Sequence, residues 1–534
     1  MRNFLIVLFI YFLLALISFF KGHQGMIVSD ANGWFHTYEQ MGWHGLLYSF
    51  NDRSLHYFYH LFFFLCYKCF GFHTAYWSVF YCALHAMAAA AGFILFRKTY
   101  TAQHFEHASI TAFIGGLLFI VNAYNAEPVL WAACIHYPLC VIFIMAALIC
   151  MIEYAMSGKR REAFLFIICF ISALFLLELS LALPLICIPL FFVFKKENFS
   201  RQKFLLLEGA SVFIILIYLL LNKLKFGSVV GHYGSSVHLN TDVVLLSSNL
   251  NKYFAKYFLF SQFWDYKYVS KLYHIFETPG FAYGAVVFYA AILLLFVFFK
   301  RHLSNRVQTI FLMGVCSVMC LAPVINLFFT YIVRNEGDRL GYLFAMFFSH
   351  SLSLLVFSIL PYGAFLLAIY FGLNFNFLQK NVTAWKNAGQ VEEHLLKTFT
   401  FQNAPCVFIL NLPDNYSGAY MFRSFDGASE MKDALQVRGM YTNRVVETLK
   451  YNMRTIGDSV KVQRLSDHEL KITFAQEGNW WWRDGIGAAN YKNDEYAINI
   501  DEWNFSYVID FKKKIPGTVY LYQCGDNWRQ VDNF

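Results

Sequence analysis

The sequence predicts an all-α polytopic membrane protein that ends in a small α/β domain outside the membrane. Three observations predict it. Of the 534 residues, 58% are hydrophobic and only 14% charged, where a soluble chain usually carries about a quarter charged. The apolar residues come in blocks rather than in alternation, and runs of roughly 18 or more are long enough to cross a bilayer as helices. From residue 379 onward the blocks give way to short alternating segments bounded by turn residues.

The first block, MRNFLIVLFIYFLLALISFFKG, has one arginine ahead of its apolar core and no small-x-small cleavage site behind it, which predicts a retained anchor helix at 4–20. Further spans are expected at 76–96, 109–126, 136–155, 163–182, 183–194, 204–221, 280–299, 308–332, 341–359 and 361–378, about eleven in all. Pro184 and Pro189 interrupt the region around 178–190. With the N-terminus inside, the inside loops are RKTYTAQH, SGKRRE, KKENFSRQK and KRHLSNR. Each is rich in Lys and Arg, as the positive-inside rule requires. The net charge of +8 therefore sits in short loops, and nucleic acid is not an expected partner.

Three pieces fall outside: 21–75, 222–279 and 379–534. In the first, NGWFHTYEQMGWHGLLYSF is aromatic and amphipathic, and NDRSLHYFYHLFFFLCYKCFG is too short and polar at its start for a span; both predict helices in the outer interface. In the second, GHYGSSVHL is a turn region with His232 and His238, followed by the Tyr- and Lys-rich NKYFAKYFLFSQFWDYKYVSKLYHIF, again interfacial helices. In the third, TAWKNAGQVEEHLLKTF has helical spacing, and PCVFILNLPDNYSGAYMFR predicts a buried strand, a Pro-Asp turn and a second strand. HELKITF, EYAINI, FSYVIDF and GTVYLYQC alternate as strands, with Trp480–Trp482 partly buried or forming a contact surface. Ten of the twelve cysteines lie in or near the apolar blocks, where a thiol packs as a small apolar group. Cys66 and Cys69 have no second pair at zinc-like distance. Cys406 and Cys524, alone in the tail, leave a disulfide open.

One stretch breaks the pattern. RNEGDRLGY, residues 334–342, puts Arg334, Glu336, Asp338 and Arg339 between two long apolar runs, on the outside face. Asp30, Asp52, Arg53, His56, Glu127, His136 and Glu178 also fall near outer span ends. Ionisable groups at such depth are costly and by default suggest function. The structural alternative is that they pair with one another and pin helix ends. Asp30 then caps the helix near Trp34, Glu127 marks a span end before Pro128, and Asp338 is the counter-ion of Arg339. Glu178, at the end of an apolar run, wants a partner that the sequence does not name. His85 on its apolar helix predicts a hydrogen-bonded core histidine.

The order DANGW (from Asp30), NDRSLHYFYHLFFFLCYKCFGFHTAYWSVFYCALHAMAA, NAEPVLWAACIHYPLCVIFIMAALICMIEY, LLELSLALP and DRLGYLFA resembles the GT-C superfamily of membrane glycosyltransferases. Within it, the pattern is similar to the protein O-mannosyltransferase-like and related bacterial branch. The chain departs from that pattern at Ser29, where relatives carry a second acid, at Arg53-Ser54 in place of Arg-Pro, and at Leu177 in place of Lys before Glu178. The resemblance implies a GT-C-like transmembrane domain over 1–378, an extracytoplasmic domain over 379–534, and a place in a bacterial inner or plasma membrane. It also implies transfer of a sugar from a polyprenyl-phosphate donor to a glycan, lipid or protein acceptor at the outer, periplasmic face.

The chemistry of the residues is compatible with that expectation. A lipid phosphate at headgroup level wants a cation at a helix mouth, and a guanidinium can hold two phosphate oxygens. Arg339, with Arg334, is the expected clamp for the leaving phosphate. The acceptor hydroxyl needs a carboxylate base within reach; Asp30 is the candidate, with Glu127 beside it. Arg53, His56, His136, Glu178 and Asp338 complete the expected substrate-binding set. No cofactor is expected beyond the lipid-linked donor, no metal-ligand spacing is visible, and a carboxylate-bound divalent cation stays open. Two other classes compete: a transporter or flippase of a lipid-linked glycan, which wants charges near the midplane in paired halves, and a non-catalytic envelope scaffold. The catalytic expectation requires Asp30, Glu127 and Arg339 to share one cavity open to the outer leaflet.

Overall fold

The computed structural model describes residues 2–51, 54–194, 199–229, 241–327, 335–358, 362–401, 403–423, 430–440, 444–474, 481–482, 490–501, 504–532 and 534. Described residues of all eleven expected spans contribute helix. Among the described residues, six helices are long and apolar enough to cross a membrane: Phe4–Gly25, Thr74–Ala102, Ala132–Ser157, Arg201–Phe226, Pro279–Phe299 and Asp338–Phe357. The expected third span is a pair, Ala108–Ile120 and Ala123–Leu130, bent by 55°. Two expected spans are shorter than predicted. The helix Asn305–Met319 stops ahead of Pro323, which has no amide hydrogen to continue it. The helix Arg160–Leu174 breaks at Leu177, whose extended backbone (φ −165°, ψ 142°) turns the chain into the 3-10 turn Glu178–Ala182.

The helices divide by burial. Over Thr74–Ala102 and Asp338–Phe357 the apolar window is 67% and 78% buried within the protein; over Pro279–Phe299 it is 6%. The first two form the core, packed against Ala108–Ile120 and the N-terminal helix. Residues 21–51 and 54–75 are folded, with helices over most of their length. Phe35 of the helix Asp30–Met41 stacks on Phe63 and Tyr67 of Tyr57–Phe70, with Trp77 of Thr74–Ala102 at 5.8 Å.

The last long helix, Tyr362–Lys397, runs 36 residues without interruption through the expected boundary at 378. At 1.5 Å per residue it is roughly 54 Å long, well beyond a hydrocarbon core of about 30 Å. It crosses the Phe20–Gly25 turn so closely that a Cβ on Gly389 would lie 1.9 Å from the Gln24 carbonyl oxygen. Only glycine fits there.

Beyond this helix the chain is mainly β. Its strands are β1 (Val407–Ile409), β2 (Leu412–Tyr416), β3 (Ala419–Tyr420), β4 (Val445–Glu447), β5 (Lys450–Met453), β6 (Val460–Arg464), β7 (Glu469–Phe474), β8 (Trp481–Trp482), β9 (Tyr491–Lys492), β10 (Tyr496–Asp501), β11 (Ser506–Phe511), β12 (Val519–Cys524) and β13 (Asn527–Gln530). They form sheets in the orders β13-β12-β1-β4, β6-β7-β11-β10-β9 and β3-β2-β5-β8. β1 is flanked by parallel partners, and β7, β11 and β10 form an antiparallel ladder. The four alternating segments are strands as predicted. The turn in NLPDNYSGAY is not at Pro413-Asp414, which lie inside β2, but at Ser417-Gly418, where both residues have positive φ. Cys66, Cys69, Cys406 and Cys524 are all free thiols. His232, His238 and Trp480 lie outside the described residues, as do the side chains of Trp481 and Trp482.

Candidate functional site

The segment 335–341 is a tight reversal that aims its charges in different directions. Asn335 (φ 66°) and Gly337 (φ 72°) are left-handed, and the 3-10 turn Asp338–Gly341 leads into the helix Tyr342–Phe357. Arg339 is 5% exposed and Glu127 fully buried. The Arg339 guanidinium donates to Glu127 Oε1, and its backbone N–H donates to Glu127 Oε2 at 2.7 Å. Nη1 also donates to the Tyr420 hydroxyl at 3.0 Å, and the guanidinium lies 5.4 Å from the Trp131 ring. Removing two such charges from water is repaid only when hydrogen bonds fill their remaining sites, as they do here.

Asp338 is not the counter-ion of Arg339. Its Oδ1 accepts from Lys256 Nζ at 2.5 Å, and both side chains are buried. Lys256 comes from the helix Val243–Leu259, lies 4.7 Å from the Tyr124 ring, and was not among the expected site residues. Its signal was NKYFAK, where Lys252 and Lys256 share one face of an amphipathic helix, read simply as an interfacial surface. Glu336 accepts from Arg423 Nη1 at 2.5 Å, and Arg423 also holds Asp414 at 2.7 Å. Tyr420, also unanticipated, lies between the two guanidinium groups, 5.7 Å from Arg339 and 4.5 Å from Arg423.

Asp30 opens the helix Asp30–Met41 as its first residue and is not its N-cap. The cap position belongs to Ser29, buried at φ 55° and ψ −135°, a conformation that L-residues adopt at a cost of about 1–3 kcal/mol. The Ser29 hydroxyl is given to the Arg423 carbonyl at 2.8 Å, not to the helix. The incoming strand is tied down by Ala132 N–H to the Met26 carbonyl (2.9 Å) and by the Trp131 indole N–H to the Val28 carbonyl (3.2 Å). Asp30 is half-buried. The Cys134 thiol, two residues beyond this tie, lies within electrostatic reach of Asp30, Glu127 and Arg339 together.

On its other side the helix Asp30–Met41 faces acids of the β region and of the last long helix. Glu430 is buried, feels Asp30, Glu447 and Asp433 as like charges, and is pushed well above the carboxylate range, first by burial. Glu392 is buried and raised to about 8 by desolvation, although the Arg438 charge and the Asn32 amide (2.8 Å to Oε1) oppose the shift. The Oε2 atoms of both acids are buried without a hydrogen-bond partner among the described residues. Asp433 is also raised by burial, and its carboxylate packs over Gly33. Lys450 bridges to Glu447 at 3.2 Å. None of Glu392, Glu430 or Asp433 was an expected site residue; they stand in the tail at helical spacing with no motif around them.

His56, His136 and Glu178 form a second grouping. His56 Nε2 meets Glu178 Oε2 at 2.6 Å, and the Tyr218 hydroxyl donates to Glu178 Oε1 at 3.3 Å, which names the partners the sequence left open. The His136 ring is 6.3 Å from His56. Contacts between Trp34 and His60 (4.9 Å), His60 and Tyr59 (4.7 Å), and Tyr59 and His136 (4.6 Å) connect this grouping to the Asp30 helix. Arg53, Arg334 and Asp52 lie outside the described residues. His85 has the hydrogen-bonded core environment predicted, meeting the Tyr342 hydroxyl at 2.6 Å.

No metal ligand set was visible from spacing, yet the cross-strand pair Glu469↔Asp510 brings His468, Glu469 and Asp510 together, with ligand atoms within 4.8 Å of one another. This trio lies on the exposed part of the antiparallel sheet, with His468 more than half exposed, and shows no feature beyond an ordinary surface cluster.

The fold and site therefore define a mostly helical chain with six apolar helices of membrane-spanning length, a C-terminal β region, and a buried network of ion pairs where the two meet. No protein-family model matches the chain, and no curated protein matches it.

Proposed function

We propose that the chain is an integral membrane glycosyltransferase that moves a sugar from a polyprenyl-phosphate-linked donor to a hydroxyl acceptor at the outer face. The single observation that carries this reading is convergence. Asp30, Glu127 and Arg339, spread over more than three hundred positions in sequence, gather within electrostatic reach of one thiol, with Asp30 half-buried on a strained turn. Strain of this kind is kept where surrounding structure over-determines it, commonly at working sites.

Membrane embedding is supported by the outward apolar surface of helices such as Pro279–Phe299, a patch that water tolerates poorly and lipid tails accept. About eleven spans, with a cytoplasmic N-terminus and an extracytoplasmic β region, remain the arrangement that keeps the four short Lys/Arg-rich loops inside. In this proposed arrangement the Asp30 turn faces outward from a bacterial inner membrane.

In the proposed reaction, Asp30 accepts the proton of the acceptor hydroxyl while its oxygen attacks the anomeric carbon. The bond from that carbon to the phosphate oxygen breaks, and polyprenyl phosphate leaves with the electron pair. Glu127 is the poorer base, because Arg339 holds both its oxygens in a dry site. Arg339 would reach a donor phosphate only by sharing its guanidinium with Glu127; in this reading it also orients the turn that carries Asp338. His56, His136 and Glu178 stand on the acceptor side.

The test is transfer of labelled sugar from polyprenyl-phosphate donors by the purified full-length chain. Asp30→Asn should lower the rate by at least about 10²-fold, the usual contribution of a general base. Undiminished transfer by Asp30→Asn would sink the assignment. A second reading, a non-catalytic envelope scaffold, is favoured by the buried Glu127–Arg339 and Asp338–Lys256 ion pairs, which fasten the fold, and an absence of transfer from every donor tried would leave it standing.

A further inference from the structure

The reversal 335–341 has a second face. Opposite its ion pairs, Asn335 lines a cavity of about 190 Å³ together with Lys380, Asn381, Thr383, Ala384, Asn387, Tyr416, Ser417 and Arg454. The walls are the last long helix, the segment 335–341 and the β2–β3 turn, with Arg454 following β5 directly. Two cations and no acid line it. Lys380 and Arg454 are both exposed, and neither has an anionic partner among the described residues. Lys380 Nζ lies 5.2 Å from the Phe377 ring centroid, which steadies its stem.

The cavity is a built feature. Asn335 and Ser417 both hold positive φ (66° and 48°), and the Asn335 amide donates to the Ser417 carbonyl at 3.0 Å, locking one wall. The Asn381 amide donates to the Ala123 carbonyl at 2.8 Å, which fixes the helix side. The Asn335 side-chain oxygen is buried and has no partner among the described residues. A cleft lined by one sign of charge concentrates its counter-ion, and paired Lys and Arg suit phosphate.

We propose that this cavity binds a phosphate group, whose anionic oxygens Lys380 and Arg454 hold. The site is distinct from the Asp30–Glu127–Arg339 convergence and requires no sugar transfer. Lys380 closely follows the expected last span, so two sources share this chemistry, an anionic lipid headgroup at the membrane surface and a soluble phosphate.

The full-length protein is tested in two arms. In one, it is reconstituted with phosphatidylglycerol or with phosphatidylcholine and the lipid retained per chain is counted by native mass spectrometry. In the other, inorganic phosphate is titrated calorimetrically into the delipidated protein. Wild type should retain one phosphatidylglycerol, or bind one phosphate, with affinity falling as salt rises. Lys380→Gln with Arg454→Gln should weaken that equivalent at least tenfold; both side chains are exposed, and an unchanged melting profile confirms the fold. Retention of lipid with no phosphate binding assigns the headgroup, and binding in both arms assigns phosphate in general. Binding in neither arm, or affinity unchanged in the double variant, overturns the proposal.

Discussion

Two sets of buried carboxylates flank Asp30, and they are kept in opposite ways. Glu127, Asp338, Glu336 and Asp414 each face a cation directly: Arg339, Lys256 and, for the last two, Arg423. Glu392 is instead met by the Asn32 amide, with the Arg438 charge acting without a direct ion pair, and Glu430 by other acids and the Lys450 charge; both hold their protons. The first set joins the helix ends to one another and to β2 and β3, so its charges are consumed in holding parts together. The second places protonated acids, with no ion pair among the described residues, around the helix that the half-buried Asp30 opens. Paired acids mark where the fold is fastened, and unpaired ones mark where it can do work.

The sharpest way to break this contrast is to remove one partner from the paired set. Arg339→Ala leaves Glu127 buried without its cation, a loss of about 3–5 kcal/mol. Thermal unfolding in detergent should show a large drop. The double variant Glu127→Gln with Arg339→Met should recover much of it, because no lone charge remains. A double variant as unstable as Arg339→Ala would mean that the pair contributes beyond charge balance.

This also shows how far the sequence could be read. Helices at every expected span and the four alternating strands were visible because hydropathy and period are local properties. The concentration of charge at 334–342 was visible too, but not its wiring. Asp338 finds Lys256 and Glu178 finds His56 across more than eighty and more than a hundred positions, and no local pattern encodes such pairs. Lys256 resembled a surface lysine because its helix is amphipathic, yet its buried face turns to the Asp338 turn. The strain at Ser29 was equally hidden: serine is a good N-cap residue, and only the folded strand shows its hydroxyl committed to Arg423.

The unpaired set makes a pH prediction of opposite sense to the usual acid. Glu392 has an ordinary value of 4.5 and rises to about 8 in the fold. Between those values the folded chain keeps a proton that the unfolded chain has lost, so stability falls as pH rises from about 4.5 to 8. Glu392→Gln, neutral throughout, should remove this decline and be the more stable protein at pH 8, by on the order of 2 kcal/mol or more. Melting temperature against pH for the two proteins decides it. Parallel curves would mean that Glu392 is charged and has found a cation, which would erase the contrast with Glu127.

The smallest effect concerns the turn that presents Asp30. At φ 55° and ψ −135° a Cβ is unfavourable, so glycine at position 29 relieves strain while alanine keeps it. Both substitutions lose the 2.8 Å hydrogen bond to the Arg423 carbonyl and differ only in the backbone term. Ser29→Gly should therefore be more stable than Ser29→Ala by about 1 kcal/mol, the reverse of their order in a helix. If the strained turn also aims Asp30, Ser29→Gly should lose transfer activity while gaining stability over the alanine variant, because the relaxed backbone no longer fixes the carboxylate. Equal stabilities for the two variants would remove the strain, and with it the physical reason for treating this acid differently from those that merely fasten the fold.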